Sequence, residues 1–415
     1  MNVSTDYDLI IVGGGMVGAS LAISLAKQAL RIALIDAAPL QKSKPPPSGY
    51  DDRAIALSFG SRCIFDGMGL WTHIEPQTTS IQRIHVSDQG CFGFTRVDAV
   101  QEKVDALGYV ATAQQLGAIL MNQLQQCDNL TLISPARLVD LKLGDDHATV
   151  IITHDPGNNT NNVESLTSKL VVAADGGSSH VRNLLDIHTT VHDYGQTAII
   201  ANITPEKSHK HIAYERFTRD GPLALLPMAD NRCSLVWTRT PEDVQRLFQL
   251  SDKSFLGELQ SCFGKRLGRF TNVGKRHSYP LQLIQAKEQI RTRLVLIGNA
   301  AHTLHPIAGQ GFNLGLRDVA ALAQNIADAF HGGDDIGGLS VLKTYAQWRE
   351  RDHRQVIGFT NTLVNTFSNR FPPLVLVRNL GLIAIDIVPP LKHRLARHSM
   401  GLVGKLPRLA RGLPL

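Results

Sequence analysis

Long apolar runs set the framework of the chain. Runs that end in glycine or aspartate occur at residues 8–12, 170–175 and 294–297, and such runs are typical of strands buried on both faces of a parallel sheet. Residues 19–30 follow the first run as a predicted helix, and residues 31–36 form the next apolar strand, which completes a βαβ unit of about thirty residues. The pattern predicts an α/β domain to which the chain returns twice.

Between these runs the pattern becomes β-like. Residues 80–100 and 130–170 belong to this class, with a strand predicted at 147–154 and a hairpin tip or short loop at 155–162. Residues 194–279 form a second block whose apolar segments predict an antiparallel sheet. Such a sheet could roof a pocket over the first domain.

The first apolar run leads into the glycine motif Gly13-Gly14-Gly15-Met16-Val17-Gly18. Gly13 permits the tight turn, Gly15 lets backbone N–H groups approach a pyrophosphate, and Gly18 allows close helix–strand packing. Asp36 ends the next strand, where its carboxylate can accept hydrogen bonds from an adenosine ribose. Strand, helix and acid together favour a nucleotide site over a glycine turn without a nucleotide.

Two further glycine segments follow buried strands. Asp175-Gly176 precedes Arg182, so a phosphate there would meet backbone N–H groups and a guanidinium, and an ordinary strand-ending turn is the alternative. The third segment runs from Gly298 to Asp318 and enters a helix predicted at 313–330, whose start presents N–H groups and a positive dipole to an anion. Three such segments in this order indicate an FAD enzyme.

In these three segments the chain resembles the single-component FAD-dependent aromatic hydroxylases related to para-hydroxybenzoate hydroxylase, and the resemblance extends from Asp8 to about Arg354. The family usually has Gly-Asp-Ala-Ala-His where this chain has Asn299 after Gly298. Asparagine can still accept a hydrogen bond from a ribityl hydroxyl, but it carries no charge. The segments around Asn299 and Arg53 resemble the ubiquinone-biosynthesis branch, and within it the hydroxylases of 2-polyprenyl-6-methoxyphenol.

The resemblance implies a site and a reaction. FAD would be reduced by NADH or NADPH, visiting transiently, and would react with O2 to a C4a-hydroperoxide that hydroxylates a polyprenyl phenol. Arg53 would clamp phosphate or lie beside the flavin, or else form a plain surface ion pair. The residues expected to bind the cofactor are Gly13, Gly15, Gly18, Asp36, Arg53, Asp175, Gly176, Arg182, Gly298, Asn299, Pro306, Gly309, Gly311 and Asn313.

No residue of the sequence is identified as the base for the phenol. His302 and His305 lie in the flavin segment, where a histidine has either a proton-transfer role or a packing role. Tyr214 lies in a strand-like segment that either faces the substrate or exposes one solvated face. The rival functions are another ring hydroxylation of the same pathway on a 2-polyprenylphenol, a flavin-dependent prenyl reductase, and a non-catalytic prenyl-binding protein of the same fold.

The end of the chain is strongly basic. The net charge is +6, and residues 391–415 contain six basic residues and no acid. The absence of aromatic residues there disfavours nucleic acid. Residues 372–390 are apolar but interrupted by Arg378 and Asp386, which excludes a transmembrane helix. Residues 372–415 therefore predict peripheral contact with an anionic membrane, with packing on the domain or on a second subunit as the alternative.

The remaining composition suits a cytoplasmic protein at the inner face of the membrane. The N-terminus has acids and no basic region, unlike a secretory signal. The cysteines lack a C-x-x-C pair, so we expect reduced thiols and no metal site; they are Cys63, Cys91, Cys127, Cys233 and Cys262. A place in a protein assembly for quinone synthesis is compatible with this assignment.

The predicted fold is therefore α/β, with a GR2-type Rossmann-like FAD-binding domain, an inserted mixed or antiparallel-sheet substrate domain, and a C-terminal helical, basic tail. The expected boundaries are 1–80, 105–190 and 280–355 for the FAD-binding domain, 81–104 and 191–279 for the substrate domain, and 356–415 for the tail.

Overall fold

The computed structural model describes residues 4–39, 50–154, 163–304, 309–368 and 372–415. The strands in these ranges are β1 (Tyr7–Val12), β2 (Ile32–Ile35), β3 (Ala54–Ser58), β4 (Thr79–Ile81), β5 (Arg83–Asp88), β6 (Phe94–Asp98), β7 (Gly108–Thr112), β8 (Leu130–Ile133), β9 (Arg137–Leu143), β10 (Ala148–Thr153), β11 (Val163–Ala173), β12 (Thr189–Pro205), β13 (Ile212–Thr218), β14 (Gly221–Pro227), β15 (Cys233–Arg239), β16 (Phe270–Val273), β17 (His277–Ala286), β18 (Ile290–Arg291), β19 (Leu294–Leu296) and β20 (His302–Thr303). The α-helices are α1 (Met16–Ser24), α2 (Phe59–Gly67), α3 (Trp71–Ile74), α4 (Ala99–Glu102), α5 (Ala113–Leu124), α6 (His180–Leu184), α7 (Pro241–Gln249), α8 (Asp252–Phe263), α9 (Gln310–Gly332), α10 (Leu339–Ser368), α11 (Pro372–Ile387) and α12 (Pro389–Ser399).

An eight-stranded sheet carries the three apolar runs of the sequence. Its order is β18-β19-β11-β1-β2-β8, with β10 beside β11 and β9 beside β10. The pairs among β19, β11, β1, β2 and β8 are parallel. Leu9 and Ile11 point into one apolar cluster and Ile10 and Val12 into another, so both faces of β1 are buried, as the continuous apolar run predicts.

A nine-stranded sheet follows the order β20-β17-β12-β15-β14-β13-β5-β6, with β16 beside β12. Most of its pairs are antiparallel, and β13 with β5 is parallel. One face packs on α7 and α8 through a sealed apolar cluster that includes Trp237 and Phe255. A three-stranded sheet, β3-β7-β4, approaches the other face.

The predicted fold class is confirmed, with differences in detail. The helix predicted at 19–30 is α1, which ends at Ser24 because Leu25 and Ala26 bond to carbonyls three residues back. The loop predicted at 155–162 lies outside the described residues. The long strand β12 and the strand β17 run across the expected domain boundaries at 190 and 280, and the exact division stays a prediction.

The C-terminal region is helical and then returns to the first domain. α11 packs on β6, and after α12 the chain passes over α2 and α9, where Leu409 is 1% exposed. The Trp348 indole donates to the Lys405 carbonyl in this stretch. Among the described residues, no helix combines the length and apolar character that crossing a membrane requires.

Candidate functional site

The three glycine segments meet at one edge of the eight-stranded sheet. Val12 is in register with Ala173 and with Ile35, and Ala173 is in register with Leu296. Each segment begins one or two residues beyond these positions. Since the carboxyl ends of parallel strands share an edge, the fold brings the segments together, and this is where α/β sheets bind ligands.

Packing fixes two glycines of the first segment. Gly13 has φ +107°, and a Cβ there would lie 2.5 Å from the Ala174 carbonyl oxygen. A Cβ at Gly18 would lie 1.9 Å from the Gly13 carbonyl oxygen. Gly15 differs, because nothing lies within 4 Å of its Cβ position. Open space before the first turn of α1 is the cradle that a pyrophosphate requires.

Asp36 lies beside this cradle. Its Oδ2 accepts a hydrogen bond of 2.6 Å from the Gly14 N–H, and its Oδ1 accepts one of 2.7 Å from Ala38. A carboxylate has about four acceptor positions, so Asp36 keeps capacity for ribose hydroxyls. The proposed ribose contact stays a prediction.

A cavity of about 290 Å³ adjoins the first segment. Gly14, Gly15 and Met16 line one side, and Ala113 and Gly117 of α5 line the other. The sequence pattern gave no indication that α5 takes part. Small residues on both sides leave room for the adenosine half of a dinucleotide.

The second segment combines an open turn with a buried clamp. Gly176 has φ +85° and no neighbour within 4 Å of its Cβ position. The Asp175 Oδ2 accepts from the Val181 N–H at 3.0 Å, while its Oδ1 is buried and has no hydrogen-bond partner among the residues that the structure describes. A buried acceptor without a partner indicates a ligand donor at this place.

Arg182 holds the second segment to the third. Its guanidinium, 6% exposed, donates to the carbonyls of Gly177, Asn299 and Ala300, the last at 2.6 Å. These contacts use the fork on backbone oxygens rather than turning it toward solvent. Through these contacts Arg182 positions the backbone of both segments. It would therefore act on a phosphate indirectly.

The third segment places a glycine-rich turn before α9. Gly309 has φ +61° and caps the helix, and a Cβ there would lie 2.9 Å from the Ala56 Cβ. Gly311 has open space around its Cβ position. Gly298, with φ +58°, packs on Val17, and the Asn299 side chain is exposed. Two predicted residues of this segment, His305 and Pro306, lie outside the described residues.

The Asn313 amide fixes the start of α9. Its Oδ1 accepts from the Ser58 N–H at 2.8 Å and the Ser61 hydroxyl at 2.7 Å. Its Nδ2 donates to the carbonyls of Ala56 at 2.9 Å and Gly309 at 2.6 Å. These four hydrogen bonds use both acceptor and both donor positions of the Asn313 amide. Asn313 would therefore act on a cofactor indirectly, by holding β3 against the start of α9.

A buried charge cluster lies behind the third segment. The Asp318 carboxylate, fully buried, accepts from His302 Nε2 at 2.8 Å, His353 Nε2 at 2.7 Å and Arg349 Nε at 2.8 Å. Burial alone would raise the pKa of Asp318, but the histidine hydrogen bonds and the Arg349 charge outweigh it and hold that pKa well below its usual range. Burial lowers the pKa of His353.

This cluster also has the composition of a metal site. His302, Asp318 and His353 offer three ligand atoms within 4.8 Å of one another. Both histidines hydrogen-bond directly to Asp318, and the Arg349 guanidinium opposes a second cation there. We therefore interpret the cluster as a support of the segment, and His302 as one of its members. The sequence analysis missed Arg349 and His353, which come from α10.

Arg53 lies at the border of the two large sheets. Its guanidinium lies 5.5 Å from the Tyr279 ring centroid, a cation–π contact with β17. The side chain is exposed, and Ala54 and Ala56 lead from it along β3 toward Gly309. The cofactor contact of Arg53 stays a prediction.

The inner face of the nine-stranded sheet completes the site. Glu215 of β13 is in register with Ala224 of β14, Ala224 with Val236 of β15, and Val236 with Ile200 of β12. All four are half-buried, whereas their neighbours on the opposite face are buried in a sealed cluster. Asp88 of β5 lies on the same face and is ion-paired to Arg378 at 2.8 Å. The inner face is thus largely apolar, with Glu215 as a carboxyl group that has no ion pair among the described residues.

The structure separates Tyr214 from its neighbour Glu215. Tyr214, 7% exposed, packs on Phe263 with ring centroids 5.4 Å apart, in the cluster below α8. Adjacent residues of a strand point to opposite faces, so Glu215 points to the inner face. The sequence analysis passed over Glu215, although the apolar residues Ala213 and Phe217 at spacing two were a signal for a covered face.

The residues fit FAD. The cradles at Gly15, Gly176 and Gly311, the unpartnered oxygen of Asp175 and the start of α9 lie along one edge, as an extended dinucleotide requires. The FAD binding domain family matches residues 6–360 of the chain. The chain therefore belongs to that family, and it is a flavin-dependent monooxygenase by family.

Known proteins support this assignment. The ubiquinone hydroxylase UbiL of Rhodospirillum rubrum is 37% identical over 98% of this chain and 93% of its own length. The 3-demethoxyubiquinol 3-hydroxylase of Escherichia coli is 32% identical over 95% of this chain and 98% of its own. The crystal structure of p-nitrophenol 4-monooxygenase PnpA from Pseudomonas putida shares the fold, with a TM-score of 0.77 and 19% identity over 96% of this chain and 98% of that one.

Proposed function

We propose that this member of the FAD binding domain family hydroxylates a polyprenylated phenol in ubiquinone biosynthesis, converting 2-polyprenyl-6-methoxyphenol to the 1,4-hydroquinone with O2 and NADH or NADPH. The observation that carries the proposal is the apolar inner face, which holds the Glu215 carboxyl group and packs on β3 near the segments that fit FAD. An apolar ring with a hydroxyl matches that surface. The names of the relatives at 32% and 37% identity support the pathway.

The chain's own residues would divide the work. The starts of α1 and α9 would hold the pyrophosphate and the flavin by N–H groups and helix dipoles. The inner sheet face would orient the ring and exclude water. FAD, when bound, supplies the redox chemistry that activates oxygen.

A second ring position of the same pathway is the alternative. The relative from Escherichia coli is named for hydroxylation at position 3 of a demethoxyubiquinol. A site of apolar surface with the Glu215 carboxyl group would accept that ring too. The two reactions differ in the intermediate that accumulates without the enzyme, so one experiment separates them.

We propose further that α11 lies on the membrane that holds the substrate. Leu376, Leu380, Ala384 and Ile387 are exposed at spacings of four, four and three, which places them on one helix face. Leu376 is 54% exposed and Ile387 is 70% exposed. The opposite face of α11 packs on β6, where the Thr95 hydroxyl donates to the Leu382 carbonyl, and the Leu382 side chain is buried against Phe217 of β13. A covered face and an apolar open face suit a helix lying in a lipid surface.

Basic side chains flank the open face of α11. Arg394 and Arg397 of α12 are exposed, and each basic residue near an anionic leaflet contributes about 1 kcal/mol. The end of the tail behaves differently from the predicted amphipathic segment, because Leu409 is buried on the first domain. The proposed membrane contact is therefore limited to residues 376–397.

The function is tested in cells that lack this chain. Mass spectrometry of their lipids should show 2-polyprenyl-6-methoxyphenol, removed by the intact gene but not by Gly15→Val. Accumulation of an unmethoxylated polyprenylphenol or of a demethoxyquinol would assign the chain to another ring position. A normal quinone profile would exclude a function in this pathway.

The membrane contact is tested by sedimentation with vesicles of phosphatidylcholine and phosphatidylglycerol. Leu376→Ser with Leu380→Ser should lower the bound fraction, while Val139→Ser, at an exposed apolar position on β9 of the first domain, serves as the matched control. Equal binding of both variants would contradict the assignment of α11.

A further inference from the structure

The side chain of Glu215 opens into an internal gap. Ala213 and Phe217 flank it on the same face of β13 and are buried, Ala213 with Ala54 of β3 and Phe217 with Leu382 of α11. Glu215 lies between these covered positions, yet it is half-buried rather than buried. Its accessible surface therefore faces a space between the sheet and the elements that cover it.

This space borders the segments that fit FAD. Ala54 is in the apolar cluster of Ala213, and two residues further along β3 Ala56 contacts the position of the Gly309 Cβ. Two residues of a strand span about 7 Å. The gap below Glu215 thus lies next to the start of α9, where the family resemblance places the flavin ring.

The surroundings of Glu215 are apolar. Its neighbours across the strands are Val86 of β5 and Ala224 of β14, and Ala54 and Leu363 come from β3 and α10. Its carboxyl group has no hydrogen bond or ion pair in the described part of the chain. Asp88, two residues beyond Val86 on this face of β5, is ion-paired to Arg378 of α11 at 2.8 Å. His277 of β17 lies further along the face, four strands or about 19 Å away, and Arg53 contacts Tyr279 of the same strand.

The apolar surroundings of Glu215 disfavour its charged form. Burial raises the pKa of Glu215 to about 8, so the fold holds this group where ionisation is costly. Phenols titrate near 10. The raised pKa brings the carboxylate closer to a phenol in basicity than an ordinary glutamate, which improves proton transfer between them.

We propose that Glu215 is a catalytic residue that accepts the phenol proton of the substrate, a role that rests on the proposed function. The phenol O–H bond breaks, its proton binds a Glu215 carboxylate oxygen, and the electron pair left on oxygen directs density to the para carbon. That carbon gains the hydroxyl from O2, whose second oxygen leaves as water with electrons from NADH or NADPH. The carbon then loses its own proton to solvent, which also supplies the protons that the leaving oxygen takes up, and Glu215 returns the proton it held to the first oxygen.

The experiment compares the FAD-loaded wild type with Glu215→Gln, which keeps the size of the side chain. Product formation from a short-chain 2-prenyl-6-methoxyphenol should fall 10²- to 10⁴-fold, with FAD content and reduction by NADH or NADPH retained. Product formation by the wild type should rise with pH through about 8, because the carboxylate is the active form, and this rise should be absent in Glu215→Gln. Glu206→Gln, at an exposed acid, is the matched control for loss of a carboxylate.

A second measurement separates this inference from the proposed function. Ionisation of a bound phenol changes its ultraviolet spectrum, so titration of the oxidised enzyme with the same phenol reports proton transfer without turnover. Bound phenolate in the wild type and bound phenol in Glu215→Gln support the role of Glu215 even if the wild type forms no product from this substrate. Identical spectra, or product formation by Glu215→Gln at the wild-type rate and pH dependence, would overturn it.

Discussion

The first and third glycine segments hold the same kind of backbone in place by different means. The first relies on contacts without charge, since a Cβ at Gly18 would lie 1.9 Å from a carbonyl oxygen. The third is backed by buried charges centred on Asp318, which bonds two histidines and Arg349. Close packing tolerates changes of pH, whereas a charge cluster depends on the protonation of its members. The two halves of the site therefore differ in what can disturb them.

Asp318→Asn should have the largest effect on this comparison. It removes one of the two carboxylates that pair with the buried Arg349, the other being Asp352, and removing one partner of a buried ion pair costs about 3–5 kcal/mol. We expect the free energy of unfolding in urea to fall by this amount. Asp328→Asn, at an exposed acid of the same helix, is the control. An unchanged midpoint for Asp318→Asn would show that the cluster does not support the third segment.

Gly18→Ala tests the uncharged half. The added methyl would clash with the Gly13 carbonyl, a backbone atom that cannot turn away, and overpacking costs roughly 1–3 kcal/mol. Thermal unfolding of the FAD-free protein, followed by circular dichroism, should show a lower midpoint. The loss should be the same at pH 6 and pH 8, and a marked pH dependence would contradict the contrast between the segments.

Gly15→Ala and Gly311→Ala test the cofactor-binding role of the two segments apart from their packing. At both positions no atom of the described residues lies within 4 Å of an added Cβ. Neither substitution should lower the stability of the FAD-free protein, and Gly311→Ala should raise it slightly because alanine favours a helix. Both methyl groups enter the space left for the cofactor. We expect FAD affinity to fall about tenfold or more, or at least 1.4 kcal/mol, in a fluorescence titration. Full affinity in either variant would remove that glycine from the cradle.

The smallest expected effect is that of His353→Gln on the loss of stability at low pH. The pKa of His353 is lowered in the fold, so below about pH 6.5 the unfolded chain binds a proton that the folded chain does not, and stability falls as pH decreases. His353→Gln keeps a donor toward Asp318 but cannot titrate. The loss of unfolding free energy between pH 7 and pH 5 should be smaller in this variant than in the wild type, and equal slopes would contradict the sign argued here.

Local pattern predicted the parts of the site that depend on one segment. Gly13 and Asp175 follow buried strands, and parallel strands must bring their ends to one edge, so their meeting was implicit in the apolar runs. The α9 helix was predicted for the same reason, from spacing and a glycine-rich start. These features need only periodicity and backbone conformation.

Other parts depend on contacts between distant residues. Arg349 and His353 reach Asp318 from α10, more than thirty positions later in the chain, and no local signal marks them. Leu409 belongs to the segment that the sequence pattern predicted to contact a membrane. It is instead buried, because the end of the chain packs across α2. Spacing in the sequence places Ala213, Glu215 and Phe217 on one face of β13, but the elements that cover this face, β3, α10 and α11, come from distant parts of the chain.

The order of strands in the eight-stranded sheet has a consequence for synthesis on the ribosome. β1 can pair with β2 early, but its other neighbour, β11, is complete only at residue 173, and β11 in turn pairs with β19 only when residue 296 has emerged. Pairing across such separations is slow, since loop closure precedes the gain in contacts. The first glycine segment is translated early, but the sheet edge that it shares with the other two segments forms only late in translation. We therefore expect FAD to bind late in folding.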